Sequence, residues 1–289
     1  MATVLVTGAS RGIGKATCLT LARAGHSVIG AMRHPAGSSG LGAEAPAESP
    51  SIAVWALDVD DDDSVRRGVA AITEAHGPID ALVNNAGIER RGSVEELPLA
   101  EFRAVMETNY FGAVRCMQAV LPGMRARRSG CIVNVSSVAG RLSSSPMGPY
   151  AASKFALEAI SEALAQEVKS HGIRVAVVQP GIIGTDMAQA IATGDETSIY
   201  PHARRLNDMF TQSLKRPTSP DLVADAIRAI VEGDASRFRY PVGRDAERSL
   251  AWRASLTDEQ WIDWHAADDD TWYANMERTF NLRERRPKA

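Results

Sequence analysis

Short apolar runs rich in β-branched residues alternate with longer amphipathic stretches from Thr3 to Gln179, and this alternation constrains the fold more than any other feature. TVLV (3–6), SVIGAM (27–32), IAVWAL (52–57), ALV (81–83), CIVNV (131–135) and RVAVVQ (174–179) read as strands. Between them, 13–24, 63–76, 100–127 and 150–170 carry helical periodicity. Strands that are apolar throughout are buried on both faces, and strand-helix alternation demands a parallel sheet joined by right-handed crossovers. The expected fold is α/β, a doubly wound parallel sheet with helices on both faces. No repeat at solenoid spacing is present, and at 289 residues the simplest organisation is one domain over 1–289.

Two segments depart from the pattern. The stretch from His34 to Pro50 is rich in Ala, Gly, Ser, Pro and Glu, so it is expected to form a long mobile surface loop that packs no core. Beyond Gln179, residues 186–214 are weakly periodic, and they are expected to lie as a lid over the carboxyl ends of the strands before a helix from Pro220 to Glu232. Met187, Ile191, Ile199, Tyr200, Met209 and Phe210 make this lid apolar, which suits either a hydrophobic substrate or simple packing. Residues 244–289 form an aromatic-rich C-terminal extension carrying Trp252, Trp261, Trp264 and Trp272. TDEQW, from Thr257, reads as a capping box opening a helix. These aromatics are expected to pack a terminal helix against the body or a second subunit rather than to touch substrate.

Composition removes several function classes. A net charge of -3 with 23% charged residues provides no basic surplus for nucleic acid. Cys18, Cys116 and Cys131 are widely spaced within apolar stretches, as expected of buried thiols in a reducing compartment. No apolar run is long enough to span a bilayer, and MATVLVTGAS has no basic or long apolar leader character, so the expected location is cytoplasmic. The aspartates at 58 and 60–63 lack the glycine and terminal glutamate of a calcium loop and suit helix capping, so no metal is expected.

Chemistry begins at TGASRGIG, residues 7–14, which follows the first strand directly and opens a helix. Gly8, Gly12 and Gly14, spaced G-x-x-x-G-x-G, permit a tight turn, close approach of a pyrophosphate and close helix-strand packing. Ser10, Arg11 and Ile13 complete the loop. The second strand ends at Ala31, Met32 and Arg33 with no acid for a ribose hydroxyl. Two guanidiniums, Arg11 and Arg33, without an opposing carboxylate favour a 2'-phosphate, hence NADP(H) over NAD(H). Asp58, with Val59 beside it, suits an acceptor for the adenine amino group.

YAASK, residues 150–154, places a phenol and an ammonium at i and i+4 on one helix face. NVSS ends a strand with Ser137, NNAG ends another with Asn85, Ala86 and Gly87, and TNYFG sets Asn109 in a long helix. With TGASRGIG and with Pro180, Gly181 and Thr185, this ordered set over roughly residues 3–185 closely resembles the classical short-chain dehydrogenase/reductase family. The resemblance implies a Rossmann-type sheet and interconversion of a carbonyl and an alcohol. It implies Tyr150 as acid/base, Lys154 lowering the phenol's pKa together with the positive nicotinamide ring of the oxidised cofactor and holding the nicotinamide ribose, Ser137 orienting the carbonyl oxygen, and Asn109 holding a proton-relaying water. Gly181, Ile183 and Thr185 resemble the loop that grips the carboxamide. Lowering a phenol by about three units requires roughly 4 kcal/mol of preferential phenolate stabilisation. A small-molecule carbonyl or alcohol substrate and a homodimer or homotetramer are further expectations of the resemblance. The Arg33 context and RYPVG at 239–243 are similar to the hydroxysteroid and retinol dehydrogenase branch. The competing reading is a catalytically silent dinucleotide-binding sensor or scaffold, which the intact Asn109, Ser137, Tyr150 and Lys154 disfavour.

Overall fold

The computed structural model describes residues 1–35, 41, 52–194, 197–233 and 236–282. Seven parallel strands, β1 (Thr3–Thr7), β2 (Ser27–Met32), β3 (Ile52–Ala56), β4 (Ala81–Asn84), β5 (Gly130–Val135), β6 (Ile173–Pro180) and β7 (Arg239–Val242), form one sheet in the order β3-β2-β1-β4-β5-β6-β7. The order reverses between β1 and β4, which opens a crevice beyond their carboxyl ends. β7 was not expected from the sequence. RYPV is four residues long, mostly half-buried, and contains Pro241, which an edge strand tolerates.

The helices are α1 (Gly12–Arg23), α2 (Asp62–His76), α3 (Leu99–Met106), α4 (Gly112–Arg127), α5 (Gly148–Val168), α6 (Asp186–Ala192), α7 (His202–Ser213), α8 (Pro220–Glu232), α9 (Ala246–Ala254), α10 (Asp258–Ala266) and α11 (Asp269–Phe280). Strand side chains alternate between faces with a period of two, so each apolar run feeds two cores. Val4 and Val6 pack with Leu21 of α1 and Ile227 of α8. Leu5, one residue out of phase, packs on the other face with Ile72, Met117 and Leu157 of α2, α4 and α5. Asp61 caps α2, its Oδ1 accepting from the Ser64 N–H at 2.6 Å, in agreement with the capping role expected of the aspartates. The three cysteines are buried and free, and burial pushes the Cys18 and Cys116 thiols up to about 12.

Three expectations need correction. The stretch from His34 to Pro50 lies outside the described residues except at His34, Pro35 and Leu41. Leu41 is buried in a core against Gly30, so this stretch does contribute to packing. The segment 186–214 is not irregular, since α6 and α7 form there. The tryptophans sit on three short helices, α9 to α11, rather than on one. The expected capping box is present, with Thr257 Oγ1 accepting from Gln260 N and Gln260 Oε1 accepting from Thr257 N. Among the described residues, no helix is long and apolar enough to cross a membrane.

Candidate active site

At the carboxyl end of β1, Gly8 and Gly12 hold φ of 65° and 55°, values that glycine adopts without steric cost. A Cβ on Gly14 would lie 2.4 Å from both the Gly8 carbonyl oxygen and Asn85 Nδ2. The first turn of α1 therefore presses directly on the strand end. Asn85 Nδ2 donates to the Thr7 and Gly8 carbonyls at 3.0 and 3.1 Å, while Thr7 Oγ1 accepts from the Asn85 and Ala86 N–H groups, each at 3.1 Å. NNAG and the glycine loop thus lock each other. Arg11, at the position before the first turn, caps none of the free N–H groups of α1 with its side chain. A close, backbone-lined cradle at a helix start fits a pyrophosphate.

A cavity of about 830 Å³ runs from this cradle to the C-terminal helices and is lined by every candidate site residue except Gly14 and Asn109. At the end lined by Arg11 and Arg33 the cations do not stand alone as the sequence suggested. Arg11 lies 3.8 Å from Asp186, although both side chains are largely exposed and such a pair contributes little. Arg33 faces Asp60, whose carboxyl is pushed up mainly by burial and pulled down by Thr108 and Arg33. Thr108 Oγ1 donates to Asp60 Oδ2 at 2.9 Å, and Asp60 Oδ1 is buried without a partner. Asp58 Oδ1 accepts from the Asp60 N–H at 3.1 Å, so one of its lone pairs already serves the loop. The residues that line this end, Arg33 and Asp58 included, remain compatible with an adenosine phosphate.

At the other end, Tyr150 and Lys154 occupy one face of α5, the Lys154 Nζ lying 5.7 Å from the Tyr150 ring centroid. Burial pushes the Tyr150 phenol up to about 12; a hydrogen bond with Ser137 pulls it down and Glu89 pushes it up. The lowering expected from Lys154 together with the oxidised nicotinamide ring concerns the cofactor-bound state, and burial, Ser137 and Glu89 are the influences of the chain itself. Lys154 is 4% exposed, and its ammonium is pushed down to about 8 by burial and donates to the Val135 carbonyl at 2.9 Å. Glu158, one turn further along, favours the charged lysine and is itself held by Arg239 Nε at 2.8 Å and Gln179 Nε2 at 2.9 Å. RYPVG thereby gains a local role, since Arg239 anchors the carboxylate that supports Lys154.

Asn109 lies in a five-residue π-helical turn, Glu107–Phe111, between α3 and α4, the type of turn that often marks functional sites. Its Nδ2 donates to the Ile88 carbonyl and to Ser153 Oγ, each at 2.9 Å, and its Oδ1 accepts from the Ile88 N–H at 2.8 Å. The side chain spends both donors on protein, so it braces the loop after β4 against α5 rather than presenting itself to the cavity. Ser137 Oγ accepts from the Ala139 N–H at 3.1 Å and reaches the Pro180 carbonyl at 3.4 Å.

The loop after β6 has a partner that the sequence did not reveal. Asp245 Oδ2 accepts from the Ile182 N–H at 2.9 Å, and a Cβ on Gly181 would lie 2.2 Å from Asp245 Oδ1. Only glycine lets that carboxylate seat against the loop. Ile183 pairs with Thr218, and Thr185 caps α6 by accepting from the Ala188 N–H at 3.3 Å. Glu89, two residues beyond NNAG, also lines the cavity and escaped the sequence reading, although an acid just past a strand end was a visible signal.

Of the apolar residues expected to form a lid, Met187, Ile191, Met209 and Phe210 line the cavity, whereas Ile199 and Tyr200 are 71% and 40% exposed on the outer surface. Trp252, Trp261, Trp264 and Trp272 form the far wall. They pack on one another, with Trp252 centred 5.0 Å from Trp261 and 4.9 Å from Trp264, yet they also front the space shared with Tyr150. Packing and cavity lining are therefore combined. The wall is pinned to the body where Trp261 Nε1 donates to the Ser143 carbonyl at 2.8 Å and Arg205 Nε pairs with Asp269 at 2.9 Å.

The fold and the cradle together define a dinucleotide-binding α/β protein. The family model described as short chain dehydrogenase matches residues 2–196, and the chain belongs to that family. It is 41% identical over 244 residues to a 3-ketodihydrosphingosine reductase of Bacteroides thetaiotaomicron, covering 83% of this chain and 87% of the relative. It is 37% identical over 199 residues to an NADPH-dependent pterin aldehyde reductase of Arabidopsis thaliana, covering 68% and 81%. A solved short-chain dehydrogenase from Streptomyces avermitilis superposes with a TM-score of 0.78 at 33% identity, covering 91% of this chain and 96% of that one. The chain is an oxidoreductase of this family.

Proposed function

We propose that the protein is an NADP(H)-dependent carbonyl reductase or alcohol dehydrogenase that uses Tyr150 as its acid/base on a hydrophobic small molecule. The observation that carries this reading is the Tyr150 phenol, hydrogen-bonded to Ser137 with the Lys154 ammonium on the same helix face, in one cavity with the glycine cradle. When bound, a nicotinamide dinucleotide supplies the hydride equivalent. The chain supplies the rest. Ser137 Oγ offers a carbonyl oxygen a preorganised hydrogen bond. Tyr150, protonated throughout the neutral range, delivers the proton to that oxygen, so reduction draws on the form that burial favours. Lys154, charged below about 8, orients the ribose end, and Asn109 positions the loop that faces it.

NADP(H) preference rests on Arg33 and Arg11 at the adenosine end and on the NADPH dependence stated for the Arabidopsis relative. The hydrophobic substrate rests on the tryptophan wall and the apolar lid residues. A cytoplasmic homodimer or homotetramer completes the reading, with Phe111 and Phe155 exposed at 44% and 43% as candidate contact residues. The test is NADPH oxidation with a panel of ketones, steroids, retinoids and acyl thioesters. Tyr150→Phe should lower turnover by about 100-fold to 10,000-fold with cofactor binding unchanged. Near-normal turnover in that variant would remove the proton-transfer role.

A further inference from the structure

His265 of α10 belongs to the tryptophan wall, and the proposed chemistry makes no use of it. The fold fixes it at both ends. Its backbone carbonyl accepts from Arg205 Nη1 at 3.2 Å, and Arg205 is itself buried and paired with Asp269. Its ring is centred 4.1 Å from that of Trp261 and 4.8 Å from that of Trp264. Nδ1 lies 2.9 Å from the Trp261 carbonyl oxygen, which can only accept, so Nδ1 carries the proton of the neutral ring. Nε2 makes no hydrogen bond among the described residues. Unlike Nδ1 of His202, which is buried without a partner, it keeps accessible surface, and His265 lines the cavity.

Burial pushes the imidazole down to about 4; the Trp261 carbonyl raises it, and His202, Arg205 and Arg253 lower it further. The ring is neutral near pH 7, and with the proton on Nδ1 its Nε2 offers a lone pair. Packing among indoles requires no such lone pair, since phenylalanine would fill a similar space with no polar atom to satisfy. The lone pair selects its ligand. A carboxylate or ketone oxygen has no proton to give it, and an ammonium would be desolvated against a ring that brings no opposite charge. A neutral hydroxyl meets both conditions. We propose that His265 is a specificity-determining residue whose Nε2 accepts a hydrogen bond from a neutral hydroxyl on the apolar body of the substrate, apart from its reacting carbonyl. The substrate class is then a hydroxyl-bearing ketone or aldehyde with a planar apolar body suited to the indole faces. This deepens the carbonyl-reductase reading and rests on it for the word substrate, while the binding site itself stands on the geometry of His265.

The discriminating ligands are β-naphthol and its methyl ether, which share one ring system and differ in whether the oxygen carries a proton. Calorimetric titration of the full chain without cofactor reads their affinities with no redox step possible. The affinity ratio of naphthol to ether should fall about fivefold from the natural protein to His265→Phe, the scale of one neutral hydrogen bond. Nitrogen NMR of the natural protein gives a second readout that stands even where the phenylalanine variant fails to fold. The resonance of unprotonated His265 Nε2 should move on addition of naphthol and stay in place with the ether. A ratio unchanged in His265→Phe, a proton found on Nε2 instead of Nδ1, or an Nε2 resonance indifferent to naphthol would overturn the assignment. A naphthol preference that depends on His265, in a protein that oxidises NADPH with no carbonyl compound of the panel, would keep this site and remove the reductase reading. NADPH oxidation with an unchanged ratio would remove this site alone.

Discussion

Replacing Lys154 by methionine should destroy turnover and yet stabilise the cofactor-free protein. The ammonium is 4% exposed, and burial moves its pKa from 10.5 to about 8. At about 1.4 kcal/mol per unit, that depression corresponds to roughly 3 kcal/mol by which the fold prefers the neutral amine. Methionine follows the same unbranched course without a charge and gives up the bond to the Val135 carbonyl, a loss of about 1 kcal/mol. The expected net gain at pH 7 is on the order of 2 kcal/mol. The pH dependence fixes its origin. A depressed lysine pKa means that the unfolded chain binds more protons than the folded one between about 8 and 10.5, so the natural protein gains stability as pH rises through that window and loses it on the way down. Lys154→Met lacks this term. Urea unfolding of both proteins without cofactor should show the variant more stable at pH 7, with the advantage shrinking as pH rises and passing to the natural protein by about pH 10.5, where its amine is neutral and keeps its bond to Val135. Tyr150 acts above its ordinary value of 10 in both proteins and cancels in the difference. A variant less stable at pH 7, or a gap independent of pH, would refute the claim that burial of this charge dominates its energetics.

Arg33→Asp should raise KM for NADPH far more than for NADH, because the new carboxylate would join Asp60 at the same end of the cavity; equal effects on the two cofactors would refute a role for Arg33 in phosphate recognition. Gly14→Ala should abolish the thermal shift given by NADP+ and lower Tm in its absence, since its Cβ would lie 2.4 Å from the Gly8 carbonyl oxygen and overpacking of this kind costs about 1–3 kcal/mol. Asp245→Asn should retain cofactor affinity, because an amide oxygen can still accept from the Ile182 N–H, whereas Asp245→Ala should weaken it by leaving that donor unpaired; matched titrations of NADPH fluorescence distinguish the two.

The parts of this molecule visible in its sequence are those whose determinants lie within a few residues of one another. Continuous apolar runs gave the first six strands because parallel strands are buried on both sides. TGASRGIG and YAASK are local geometries, a phosphate turn and an i, i+4 pair, and they gain meaning from the first strand before the one and from NNAG, Asn109 and Ser137 beside the other. What stayed hidden depends on distant partners. Arg239 reads as surface until β7 sets it against Glu158, and Asp245 reads as a loop acid until the absent side chain of Gly181 makes room for it. Burial of the Tyr150 phenol and of the Lys154 ammonium, which pushes the first up and the second down, is likewise set by distant packing that no local pattern reports.

The cavity also separates chemistry from recognition along the chain. The cradle, Ser137, Tyr150 and Lys154 are set by β1, β5 and α5, whose conformations are held by sheet pairing and the two large cores. The wall facing them comes from α6, α7 and α9 to α11, which pack mainly through ring contacts and a few pinned bonds such as Arg205 to Asp269. The family match ends at residue 196, before α7 begins, so the matched part of the chain carries Ser137, Tyr150 and Lys154 while the later helices carry the tryptophans. A mutation in α10 can therefore reshape the space over Tyr150 and change the burial that pushes its phenol up, while leaving Ser137 and Glu89 in place. Glu89 stands at the boundary: its backbone belongs to the fixed loop after β4, and its Arg91 neighbour reaches across to α6. That placement sets a carboxylate between the loop after β4 and α6, in the same cavity as the Tyr150 phenol.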